Sequence, residues 1–141
     1  MSAGRPEGAP AVLLDANVLL RYLTGDPAPM ADRARLLLER AESGEFVLVL
    51  TPLTLAECVW VLKSFYMQPI KAIADAFQQV LALDGLRIQD AGLVTDALST
   101  MARANVDFAD AYLAELSRAG GLKVATFDQD FRRLDGDMLQ F

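Results

Sequence analysis

Four acidic side chains sit beside breaks between apolar segments, where a small α/β domain can gather charge. Asp15 closes the run Ala11-Val12-Leu13-Leu14, and Asp128 follows the run from Leu122 to Thr126. Glu57 falls in the first turns of a helical stretch opened by Thr51-Pro52, and Asp110 falls near the start of another, just after Asp107. In open parallel sheets, ligand sites collect beyond the carboxyl ends of the strands, so all of these acids are expected at one end of the sheet. Unpaired carboxylates packed together must take up protons or bind cations. With no histidine and a single cysteine in the chain, the donors are hard oxygens, which selects Mg2+ or Mn2+ over Zn2+.

Each acid also has a purely structural reading. Thr54-Leu55-Ala56-Glu57 fits a capping box in which Glu57 bonds the helix start. Asp107 fits an N-cap for a helix beginning at Phe108, with Asp110 favoured in its first turn by the helix dipole. Asp128 and Asp130 suit the turn Thr126-Phe127-Asp128-Gln129-Asp130, and Asp15 with Asn17 suits an Asx turn after the strand. Taken singly, these readings stand open for every acid. The joint placement of the acids is what points to a site.

The elements that must position them alternate strand and helix. Ala11 to Leu14 and Phe46 to Leu50 are short apolar runs of the kind buried on both faces of a parallel sheet. Leu19-Leu20-Arg21-Tyr22-Leu23 leads to the breaker Gly25-Asp26-Pro27, after which Met30, Ala34, Leu37, Leu38 and Ala41 recur at helical spacing up to Gly44. Helices are predicted from Pro52 to Phe65, Pro69 to Leu83, Leu93 to Ala104 and Phe108 to Ala119, the last closed by Gly120-Gly121. Leu86 to Ile88 and Leu122 to Thr126 are predicted strands, with Met138 to Phe141 as an edge strand. The pattern is that of a three-layer α/β/α domain with a central parallel sheet.

Length and composition set bounds on this picture. A chain of 141 residues, 53% hydrophobic, suits one domain over residues 11–141, with a loose polar tail over residues 1–10. The net charge of -6 excludes a broad basic surface for gripping nucleic acid, so any such contact is local, with Arg132 and Arg133 as one candidate pair. Cys58 is expected to pack in the core, since no histidine exists to activate it, and one cysteine suits a reducing cytoplasm. No run approaches the roughly 20 apolar residues of a membrane helix, and nothing at the start resembles a signal peptide.

Four strings together resemble a known family. Asp15-Ala16-Asn17-Val18-Leu19-Leu20, Leu55-Ala56-Glu57-Cys58-Val59-Trp60-Val61-Leu62, Asp107-Phe108-Ala109-Asp110-Ala111 and Thr126-Phe127-Asp128-Gln129-Asp130-Phe131 are similar, in this order, to the motifs of PIN-domain ribonucleases, especially VapC-type toxins of toxin–antitoxin operons. The resemblance runs from about Ala11 to Phe131. It implies a PIN-like fold and a metal-dependent endoribonuclease, with Asp15, Glu57, Asp110 and Asp128 as catalytic, Mg2+- or Mn2+-binding acids holding one or two ions. Asn17 and Thr126 match polar positions lining the site. Asp107 and Asp130 are the alternative acids. The resemblance also implies an RNA substrate, a homodimer and a cognate VapB-type antitoxin.

Without a histidine to deprotonate a ribose 2'-hydroxyl, water is the expected nucleophile, leaving 5'-phosphate and 3'-hydroxyl ends. Trp60, Phe65, Tyr66 and Met67 follow Glu57 and are expected either in the core or along an apolar groove for a partner. Two rivals remain at this stage. One is a PIN-fold binding protein without catalysis. The other is an aspartate-based phosphotransfer domain, which Asp15-Ala16-Asn17 disfavours by lacking a second aspartate, as does the absence of a lysine closing the last strand.

Overall fold

The computed structural model describes residues 8–141. Strands β1 (Ala11–Leu13), β2 (Val47–Leu50) and β3 (Leu86–Ile88) form a parallel sheet in the order β1-β2-β3, with Ala11 opposite Val47 and Leu50 opposite Ile88. Strands β4 (Lys123–Val124) and β5 (Asp137–Met138) form a separate parallel pair. The helices are α1 (Ala16–Thr24), α2 (Ala28–Glu42), α3 (Pro52–Ser64), α4 (Ile70–Leu81), α5 (Ala91–Ala104) and α6 (Phe108–Gly120), followed by a 3-10 helix over Gln129–Arg133. The architecture is the expected α/β/α sandwich around a central parallel sheet. Of the tail expected over residues 1–10, residues 1–7 lie outside the described part, and the Pro10 carbonyl already accepts from the Val47 amide (2.8 Å).

Local chemistry sets the helix ends. The Asp15 carboxylate caps α1, and Gly25 closes it in the left-handed region that glycine enters without strain. The Thr51 hydroxyl accepts from the Thr54 amide (3.1 Å), while Pro52 takes the first helical position of α3, where its missing N–H is not needed. Gly121 ends α6 in the left-handed region. The core then fills from both sides of the sheet: Leu48 and Leu50 of β2 are buried with Leu55 and Leu62 of α3, Ile73 and Phe77 of α4, and Leu98 and Met101 of α5. A tight approach joins helix to sheet at Gly85, whose carbonyl accepts from the Leu48 amide (2.8 Å).

Three expectations change. Strand β1 is not buried on both faces: Val12 and Leu13 are exposed, Leu13 by 74%, since β2 is the central strand and, among the described residues, no strand pairs with the outer edge of β1. Only Leu14, just past the strand, enters the core. The predicted strand from Leu122 to Thr126 is reduced to Lys123–Val124, because its partner is equally short. The last strand begins before Met138 and ends there, and Phe141 lies beyond it with its ring 5.2 Å from that of Phe127. Among the described residues, no helix is long and apolar enough to cross a membrane.

Candidate active site

The four acids arise from four different local settings. Asp15 follows β1 and Leu14, and one of its oxygens accepts from the Asn17 amide (3.4 Å), so the anticipated Asx geometry is also the N-cap of α1. Asp128 behaves alike at the other end of the chain. Its backbone N–H donates to the Thr126 hydroxyl (3.0 Å), and its Oδ1 accepts from the Asp130 amide (2.9 Å), which starts the 3-10 helix. In both cases the cap uses one carboxylate oxygen and leaves the other without a hydrogen bond among the described residues. Capping and ligation therefore do not compete.

Glu57 is not a cap. The helix begins at Thr51-Pro52, one turn earlier than a capping box at Thr54 requires, so Glu57 lies in the second turn of α3 with its side chain exposed. Its neighbour Cys58 is fully buried, and the thiol contacts the Ala16 carbonyl (3.7 Å). That contact fixes α3 against the start of α1, next to Asp15. Burial, then the nearby Glu57 and Asp15 carboxylates, push the Cys58 thiol up to about 12. It is inert packing, as the sequence predicts.

Asp107 and Asp110 separate clearly. Asp107 is the N-cap residue of α6 by backbone conformation, yet its side chain caps nothing and instead pairs with the Lys63 ammonium of α3. Asp110, half-buried in the first turn of α6, has no cationic partner in direct contact. Burial, followed by the carboxylates of Asp128, Asp107 and Asp130, pushes its carboxyl above the ordinary range, against partial relief from Lys63. Asp130 faces Arg133 at 4.0 Å. Among the described residues, Asp15, Glu57, Asp110 and Asp128 form no ion pair, whereas the two alternatives, Asp107 and Asp130, each have one.

The acids thus stand as two neighbourhoods, Asp15 with Glu57 around Cys58, and Asp110 with Asp128. Helix α3 links them, because Lys63 lies about 9 Å along the helix axis from Glu57 at 1.5 Å per residue and reaches Asp107. The single tight cluster anticipated from the sequence is looser than expected. Among the described residues, no group of three or more His, Cys, Asp or Glu side chains stands close enough to hold a metal ion. Mutual repulsion of unpaired carboxylates favours such spreading. The donor chemistry nevertheless fits a hard divalent cation, since the unpaired groups are all carboxylate oxygens and Asp110 carries a repulsion that a cation would relieve. Lys63, which separates Asp107 from Asp110, escaped the sequence reading because its partner is 44 residues away.

A parallel α/β sandwich with acids following its first and fourth strands defines the class. The chain matches the PIN domain family model over residues 12–137 and belongs to that family. No curated protein matches it.

Proposed function

We propose that the protein is a cytoplasmic, metal-dependent endoribonuclease of the toxin type. The observation that carries this reading is the division of the acids. Of the six candidate acids of this PIN domain, the four expected ligands are those without an ion pair among the described residues, while the competing Asp107 is neutralised by Lys63 and Asp130 faces Arg133. Asp15, Glu57, Asp110 and Asp128 would hold Mg2+ or Mn2+. A bound cation of that kind supplies Lewis acidity at a phosphodiester. The chain's own part is placement: Asp15 and Asp128 are held by their caps, Thr126 fixes the Asp128 loop, and Asn17 borders the site on α1.

Partners of the same reading are a second copy of the chain and a VapB-type antitoxin. Supporting them, Trp60, Phe65 and Met67 are exposed rather than core, Trp60 by 67%, and Tyr66 is only half-buried. A second reading, a PIN-fold protein that binds RNA without cutting it, draws on the spread of the acids. Cleavage of labelled single-stranded RNA with Mg2+, Mn2+ or EDTA separates the two. Metal-dependent cutting that the Asp15→Asn variant loses supports the nuclease, and RNA and metal binding without any cutting supports the binding protein.

A further inference from the structure

Helices α1 and α2 enclose a cavity of about 410 Å³ with a composition unlike the rest of this acidic chain. Arg21, Arg33 and Arg40 line it, no carboxylate does, and Val18 and Leu37 supply apolar wall. Arg40 is already neutralised by Glu45 (2.6 Å), and its guanidinium lies 5.1 Å from the centre of the Phe46 ring. The other two are available. Arg33 is exposed and forms no ion pair among the described residues, and Arg21 gives one N–H to the Asp26 carbonyl (3.3 Å) while its Nε is buried without a partner. A buried donor left unsatisfied is costly, and a ligand oxygen would remove that cost.

The cavity borders the candidate active site at Asn17, which lines it and whose backbone N–H donates to the Asp15 carboxylate. Arg21 lies one helical turn beyond Asn17, about 6 Å along the axis. Cationic groups at that distance from an acidic, metal-type site match a strand whose scissile phosphate lies among the acids and whose next phosphate needs a counter-charge. Arginine suits this role because its planar fork accommodates phosphate oxygens.

We propose that the α1–α2 cavity is a nucleotide subsite, in which Arg21 and Arg33 hold an RNA phosphate adjoining the scissile one and Val18 and Leu37 face the attached nucleoside. This rests on the ribonuclease reading. Arg40 shapes the wall and contributes no net charge.

The test measures binding of a labelled single-stranded RNA to the full chain in EDTA over a salt series, then cleavage kinetics in Mn2+. Arg21→Gln with Arg33→Gln is expected to raise Kd and KM at least about tenfold and to lower the salt slope by about 0.7, the value for one phosphate neutralised on a single strand. The value of kcat is expected to stay within about twofold. Arg35→Gln, on the same helix but outside the cavity, is expected to change nothing, and the double lysine variant to keep most of the slope. Should the glutamine pair be poorly folded, Arg33→Gln alone, at an exposed position, is expected to raise Kd and KM about threefold, half the effect of the pair in free energy.

Unchanged KM and slope, in a protein that cuts RNA, would remove the subsite and leave the ribonuclease standing. A wild type that neither binds nor cuts RNA removes both. Equal losses in the glutamine and lysine variants, tracking a fall in melting temperature, would make the arginines structural and overturn the subsite. So would an acidic peptide that binds the cavity without displacing RNA, which would assign it to a protein partner.

Discussion

The Lys63 ammonium on α3 pairs with the Asp107 carboxylate at the start of α6, and one turn further on Asp110 is left facing Asp128 without a cation. Two aspartates that the sequence presents as equals are thereby given different electrostatic roles. Asp110→Asn is expected to lower metal-dependent RNA cleavage on the order of 100-fold or more, as loss of a ligand charge does, while Asp107→Asn costs less than about 10-fold. Steady-state rates of the two variants, side by side, check the assignment. The reverse order would make Asp107 the ligand.

Cation binding should stabilise the fold. Asp110 is repelled by the neighbouring Asp128 carboxylate when no cation is bound, and a divalent ion that binds the native state raises its stability by mass action, about 2.7 kcal/mol at a hundredfold excess over Kd. Melting curves with and without Mn2+ are expected to differ by several degrees in the wild type, and by clearly less in Asp128→Asn. An identical shift in both would place the ion elsewhere.

Glu115 offers a test independent of the site. It lies on the inner face of α6, 1% exposed, where it accepts from the Thr100 hydroxyl (2.8 Å) and pairs with the Arg118 guanidinium. Burial pushes its carboxyl up, but the hydrogen bonds from Arg118 and Thr100 outweigh that and hold it below its ordinary value of 4.5. A depressed carboxylate contributes stability that is complete above the unfolded value and is lost as pH falls through the folded one. Glu115→Gln is expected to cost about 1–3 kcal/mol at pH 7, with the gap to wild type narrowing below about pH 4.5. Chemical denaturation at pH 7 and pH 4 measures both.

Gly85 is required by two separate constraints. Its φ is +85°, and an added Cβ would come 2.4 Å from the backbone carbon of Ala41 in α2. Neither can be relieved by a side-chain rotation. Gly85→Ala is expected to destabilise by roughly 2–4 kcal/mol and to disturb the adjacent β2–β3 pairing, read by denaturant midpoint and by amide exchange at Leu48. A wild-type midpoint would show that α2 can move away freely.

Much of the fold was legible in the sequence because its signals were local. Contiguous apolar residues between breakers placed β2, and Pro52, Gly121 and the helical periodicities placed α3 and α6. What escaped depends on neighbours distant in sequence. An apolar run such as Ala11 to Leu14 cannot show whether its strand is central or at an edge, and here it lies at the edge of its sheet. A Thr-x-x-Glu string suggested a cap at Thr54, but Thr51-Pro52 begins the helix a turn sooner and frees Glu57. The partner of Lys63 carries no local signal. Glu115 did carry one, since it stands seven residues after Phe108 and four after Ala111, on the same buried face.

The most direct measurement is the end chemistry of RNA fragments produced by the purified chain in Mn2+. Water as nucleophile is expected to leave 5'-phosphate and 3'-hydroxyl ends, with all cutting lost in EDTA and in Asp15→Asn. Fragments that end in a 2',3'-cyclic phosphate, or cutting that persists in EDTA, would contradict a ribonuclease built on these four carboxylates.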